Sequence, residues 1–157
     1  MDGNRVARAT RMETTTVPIA ATDFNHVRLT VSDIDVSRKF YDEVFGFEVA
    51  FEWDPNADEK TKKSLWFLFG GVIYTFPGGL LGLRPVASNG DTFDEDRTGL
   101  DHLSLGVASH QDLLGAVALL DELGIEHEPI KGAGPGLAIV EFRDPDNIAL
   151  EISGPSE

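Results

Sequence analysis

The sequence predicts an α+β fold: two tandem βαβββ modules forming one curved mixed sheet around a cavity, with the helices on its outer face. Three observations carry this. The stretch DFNHVRLTV, Asp23 to Val31, is echoed 76 residues later by GLDHLSLGV, Gly99 to Val107. Each His stretch is followed by a helical segment, and the helix starts and stops repeat at 77 and 78 residues. Three strand-like segments then follow in each half. Neither half is large enough to bury its own sheet, so the copies are expected to form one pseudo-symmetric domain. Its expected parts are a disordered tail over 1–22, module one over 23–84, a linker over 85–99 and module two over 100–154.

The two His stretches alternate strictly, the pattern of a half-buried strand. Val27, Leu29 and Val31 share one face in the first, and Leu103, Leu105 and Val107 in the second. The opposite faces carry His26, Arg28 and Thr30, and His102, Ser104 and Gly106. Such a face is a poor core and a suitable cavity wall.

Ser32 to Asp35 reads as a variant capping box, Val36, Phe40 and Val44 follow at helical spacing, and Gly46 supplies the stop. Ser109 to Asp112 repeats the cap, Leu113, Val117 and Leu120 the apolar face, and Gly124 the stop. Residues 47–53 and 125–130 then read as matching strands. A polar loop over 54–63 leads to an apolar run, Leu65 to Phe76, bent at Gly70-Gly71. Its counterpart is Leu137 to Phe142. Leu80 to Arg84 and Ile148 to Ser153 close the two modules, the second after the turn Asp144-Pro145-Asp146-Asn147. The Gly-rich stretch 132–136 precedes a strand and contains Pro135, so it is not a phosphate loop; it reads as a mobile lip over the cavity. Asp91 to Asp96 lacks calcium-loop spacing and reads as solvated linker.

In the last strand, Ile148, Leu150 and Ile152 alternate with Ala149, Glu151 and Ser153. The rule that turns His26 and His102 toward the cavity therefore turns Glu151 there as well. Two imidazoles and a carboxylate form the facial set that holds Fe(II), with positions left open for substrate or oxygen. Arg28, two residues beyond His26, is a candidate for holding an anionic substrate group. Ser104 is a candidate for orienting substrate, His127 for moving a proton, and Tyr74 for walling the pocket. His110 lies in a helix cap, and Tyr41 in a packing position.

These pieces, Asn25-His26-Val27, Gly99 to His102 and Asp144 to Glu151, resemble the glyoxalase, bleomycin-resistance and extradiol dioxygenase superfamily of vicinal oxygen chelate proteins. The resemblance implies metal ligands on the first and last strand of each module. His26, His102 and Glu151 match three of the four. The fourth falls on Gly82, or on Thr75 if the first hairpin turns earlier, and neither is the Glu or Gln of glyoxalase I or methylmalonyl-CoA epimerase. The remaining set resembles extradiol dioxygenases and fosfomycin-type thiol transferases, although the usual auxiliary His and Tyr of ring cleavage are missing.

The resemblance therefore implies a divalent-metal enzyme acting on a small oxygen-chelating molecule. Fe(II) and dioxygenase-type chemistry are the first choice, and Mn(II) or another divalent ion with transferase or isomerase chemistry the next. A homodimer is also implied. The alternative is a non-catalytic small-molecule binder of the bleomycin-sequestering type.

Bulk composition limits the partners. The 157 residues carry 27 acidic and 13 basic side chains, a net charge of −14, which argues against nucleic acid and anionic membrane. There is no cysteine, so disulfides and thiolate sites are excluded. No apolar run approaches the roughly 20 residues that span a bilayer, and Val17 to Ala21 is too short for a signal-peptide core. A cytoplasmic protein is the simplest expectation, with Met1 and Met12 as alternative starts.

Overall fold

The computed structural model describes residues 19–157; Met12 and most of the expected tail lie outside them. Among the described residues, eight strands form two four-stranded mixed sheets, one per module. Thus the curved mixed sheet expected from the repeat is realised as two. The first sheet has the order β1 (His26–Val31), β4 (Gly79–Pro85), β3 (Val72–Phe76), β2 (Glu48–Glu52). The second has the order β5 (Leu103–Gly106), β8 (Ala149–Pro155), β7 (Leu137–Arg143), β6 (Lys131–Gly134). In both, the first and last strands of the module lie parallel at the sheet's edge, and the remaining pairs are antiparallel.

Alternation decides which face each strand buries. Leu29, Val31, Val72, Tyr74, Leu81 and Leu83 of the first sheet, and Ala138, Val140, Phe142, Leu150 and Ile152 of the second, enter one continuous core. Helix α1 (Ile34–Phe45) lies within this core and is shared by the modules: Tyr41 is 1% exposed, and the Phe40 and Phe45 rings each stand 6.4 Å from Phe142. Helix α3 (His110–Leu123) buries Leu113 and Leu120.

The helix ends follow capping chemistry, with one change from expectation. Ser109 caps α3 as expected, accepting from Asp112 N. At α1 the cap is Asp33, not Ser32; its carboxylate accepts from Asp35 N at 2.9 Å and Val36 N at 3.2 Å. Ser32 is committed elsewhere, its amide donating to the Asp146 carboxylate at 3.0 Å. Gly46 and Gly124 stop the helices in the left-handed region.

Three segments differ from the sequence reading. The polar loop contains a short helix, α2 (Glu59–Ser64), capped by Asp58 and followed by a 3-10 turn, Trp66–Leu68. The Gly-rich stretch is no lid: Lys131–Gly134 is the edge strand β6, paired to β7. Residues 125–130 make only one bridge, His127 to Phe142, where a strand was expected.

The Asp144–Asn147 turn joins the halves. Asp146, 6% exposed, accepts from Ser32 N and from Ser37 Oγ at 3.3 Å. Asp144 accepts from Tyr41 Oη at 3.0 Å and from the amides of Asp146 and Ile148. The linker also docks on this turn, through Phe93 N to Asp146 O, Asn147 Nδ2 to Phe93 O, and the Arg143–Glu95 ion pair. Glu95 therefore belongs to a contact and not to free linker.

Gly71 makes the closest approach in the first sheet. A Cβ there would lie 1.9 Å from the Leu83 carbonyl oxygen, which is backbone and cannot swing aside. Gly71→Ala is therefore expected to cost about 2 kcal/mol through forced displacement of β3 from β4, read as a lower urea midpoint.

Candidate functional site

The residues that alternate with the core residues form an open polar face on each sheet. On the second sheet, Ser104 stands opposite Glu151, and Glu151 opposite Glu141. His102 precedes β5 and shares a cleft of about 700 Å³ with Glu141, Lys131 and Glu151. Ser104 Oγ donates to Glu151 Oε1 at 2.5 Å and lies 3.3 Å from Ser153 Oγ, which fixes one carboxylate oxygen of Glu151. The His102 ring pairs through Nδ1 with the Asp101 carboxylate. That hydrogen bond, with the charge of Glu151 added, raises the imidazole above its ordinary value against a desolvation that lowers it. Two ion pairs also line the cleft, Lys131 with Glu141 and Arg143 with Glu95, beside the carboxylates of Glu126 and Glu128.

On the first sheet, Arg28 stands opposite Gly82 and Thr30 opposite Arg84. His26 lies on the same face as Arg28; its Nδ1 is 2.7 Å from Asn25 Oδ1. This register identifies the first-sheet counterpart of Glu151. Ser104 pairs with Glu151 as Arg28 pairs with Gly82, so Gly82 is the symmetry mate of Glu151. Thr75 pairs with Leu80 and is not.

The expected ligands do not converge within one chain. The structure brings His102, Ser104 and Glu151 together, but His26 sits on the other sheet and is not among the residues of the second-sheet cleft. Among the described residues, no group of three or more His, Asp and Glu is placed to hold a metal ion. The physical reason is the shared core. Both apolar faces pack into it, so each polar face is turned outward and stands open. A divalent metal therefore does not fit a three-ligand set drawn from a single chain.

The other two candidates divide: Tyr74 points away from these faces, and His127 lines the second-sheet cleft. Tyr74 is fully buried on the helix side of β3 and donates to Asp42 Oδ1 at 2.8 Å; it walls no pocket. Burial, with Asp42 added, pushes its hydroxyl above the ordinary range. The His127 ring turns toward α3, with Nε2 3.3 Å from Asp121 Oδ1 and Nδ1 2.9 Å from Glu128 O. The ring nonetheless lines the cleft that holds His102 and Glu151. His110 lies 3.1 Å from Pro155 O through Nδ1.

One residue that the sequence reading passed over belongs to the first polar face. Arg84 shares it with Arg28, and both guanidinium groups approach the Phe69 ring. Its signal was available: in β4, Arg84 follows Gly82 by two, so alternation sends both to one side.

The chain is similar to several known proteins. It is 29% identical over 90% of its length to a lactoylglutathione lyase of Schizosaccharomyces pombe, and spans about half the length of that curated relative, 50%. A glyoxylase/bleomycin resistance protein/dioxygenase domain from Frankia sp. EAN1pec superposes with a TM-score of 0.67 at 31% identity, covering 88% of this chain and 95% of the other. For a putative glyoxalase from Bacillus halodurans the values are 0.64, 25%, 83% and 94%. Among the described residues, no helix is long and apolar enough to cross a membrane. Because the family match runs over residues 23–152, through both halves of the duplication, the chain belongs to the Glyoxalase/Bleomycin resistance protein/Dioxygenase superfamily.

Proposed function

We propose that the protein is a divalent-metal enzyme acting on a small oxygen-chelating organic molecule, working as a homodimer. Superfamily membership supports this class of small-molecule chemistry. The observation that carries the reading is the pair of outward polar faces, each holding part of one ligand set: His26 on the first, His102 and Glu151 on the second. A second copy supplies the missing part, so that His26 of one chain joins His102 and Glu151 of the other. Bound there, a divalent ion supplies a Lewis acid for substrate oxygens. Fe(II) with dioxygenase-type chemistry is the first choice, since two imidazoles and a carboxylate are the donors that ion takes. Mn(II) with transferase or isomerase chemistry is the second. The chain's own contribution is orientation: Ser104 holds one oxygen of Glu151, and Asp101 holds the His102 ring.

The test is the metal content of protein purified without an affinity metal. Near-stoichiometric metal is expected in the wild type, and a loss of about tenfold or more in affinity in each of His26→Ala, His102→Ala and Glu151→Ala. Co-expressed His26→Ala and Glu151→Ala chains are expected to regain one intact site per mixed dimer. Equal metal in all samples, or wild type that takes up neither Fe(II) nor Mn(II), overturns the assignment and leaves the non-catalytic binder. Failure of the mixed dimer alone overturns the sharing between copies.

A further inference from the structure

The polar face of the first sheet holds two cations and, among the described residues, no carboxylate paired with either. Arg28 and Arg84 lie on neighbouring strands, two residues out of step. The Phe69 ring sits beneath both, with its centroid 5.7 Å from Arg28 Cζ and 4.3 Å from Arg84 Cζ. Arg28 is aimed by two backbone carbonyls, Phe67 O at 2.8 Å and Leu68 O at 3.4 Å. Both Nε atoms are buried without an acceptor. In a chain with 27 acidic side chains against 13 basic ones, two adjacent arginines with no ion pair are an exception to be explained. Desolvation, then the like charge of Arg84, lowers the Arg28 guanidinium from its ordinary value, so the pair stands uncompensated as it is.

The surroundings are built for a ligand and not for water alone. Phe69 is held at φ +55°, a conformation rare for a bulky side chain, which keeps its ring under the two cations. Phe69 is 45% exposed, and Trp66 beside it is 68% exposed. The Arg28 stem fills the space over Gly82: a Cβ there would lie 3.0 Å from Arg28 Cγ. Where the symmetry of the fold would set a fourth carboxylate, this chain has Gly82, and the Arg28 stem takes the space that a side chain there would fill.

We propose that Arg28 and Arg84 form a clamp for an oxyanion carried by the substrate, a carboxylate or a phosphate on an apolar or aromatic body that packs against Phe69 and Trp66. Arginine's planar fork suits either group, and the aromatic surface suits the body. The inference rests on the reading of the polar faces as the substrate cavity, but it does not require the metal.

The test is calorimetric titration of the full chain, stripped of metal with a chelator, with benzoate, phenyl phosphate and neutral benzamide. At least one anion is expected to bind, and benzamide about tenfold more weakly or worse. Preference between the anions assigns the substrate's charged group. Arg28→Gln and Arg84→Gln are each expected to weaken binding about tenfold, and Arg84→Lys less, since it keeps the charge and loses the fork. Binding of neither anion, equal binding of benzamide, or unchanged binding in Arg84→Gln overturns the proposal. If Arg84→Gln does not fold, full-strength binding by Arg84→Lys and Arg28→Gln overturns it in the same way. Sedimentation velocity separates the remaining case: arginine variants that break the dimer while binding anion normally would assign the pair to the second copy and end the proposal. Metal loading plays no part in these outcomes, so a failed metal assignment and a failed clamp are told apart.

Discussion

Asp146→Ala is expected to destabilise the protein by about 3–4 kcal/mol. The carboxylate is almost fully buried and accepts from Ser32 N at 3.0 Å and from Ser37 Oγ. Its removal strands one buried donor, Ser37 Oγ, and one part-buried donor, Ser32 N, each worth about 1–3 kcal/mol when left without an acceptor, and opens a small void between α1 and the β7–β8 turn. Because the partners lie 114 and 109 residues away in the chain, the loss falls on the junction of the modules and not on one hairpin. Urea unfolding at neutral pH measures it; a cost below about 1 kcal/mol would mean that water replaces the carboxylate at this junction.

The second large effect is a dependence on pH. Asp144 beside it is pushed up to about 6, chiefly by burial and further by the charge of Asp146, against hydrogen bonds from Ile148 N, Tyr41 Oη and Asp146 N. Its folded value thus lies above its unfolded value near 3.8. A carboxyl raised in this way binds its proton more tightly when folded. Its contribution is therefore complete below the unfolded value and is lost as pH rises through about 6. The full difference is about 3 kcal/mol, with about 1.4 kcal/mol appearing between pH 7.5 and 5. Asp144→Asn removes the titrating group while keeping an acceptor for the same donors. The stability of wild type minus that of Asp144→Asn is accordingly expected to grow by this amount on acidification. A difference that stays flat from pH 7.5 to 5 would show that Asp144 does not carry the effect.

Both predictions concern a turn whose sequence signal was strong but whose partners were hidden. Pro and Asn at 145 and 147 mark a turn in any context. Nothing in the order of residues says that its two carboxylates reach the first helix. The cap at α1 falls one residue later than expected for a local reason: the Asp33 carboxylate, next to Ser32, accepts from Asp35 N and Val36 N. Local periodicity was enough where side chains alternate against a core, as at β1, β5 and β8, and where glycine must take positive φ, as at Gly46 and Gly124. It failed where periodicity is absent. Helix α2 is polar on every side, so only the Asp58 cap betrays it. Strand β6, Lys-Gly-Ala-Gly, has no alternating pattern and pairs with the edge of β7, a contact that no local pattern records.

The candidate site was legible to the same extent. Alternation placed His26, Arg28, Ser104 and Glu151 on the faces where they are found, because each strand has one apolar side that the core claims. Which modules face each other is a separate question, decided by how two amphipathic sheets share α1. That is why three residues expected to meet in one chain are divided between its two outer faces. Tyr74 was the ambiguous case, since its side depended on where the chain bends before β3, and the bend at Gly71 sends it to Asp42.

The acidic turn has a consequence for how the duplication can change over time. Two tandem copies begin as equivalents, and in principle either can drift while the other preserves the ancestral role. Here the lock sits in one copy, at Asp144 and Asp146, and the key in the other, at Ser32, Ser37 and Tyr41. The copies have become complementary parts, neither of which can be exchanged for its sibling, and any heritable change at one end of this junction is answerable to the other.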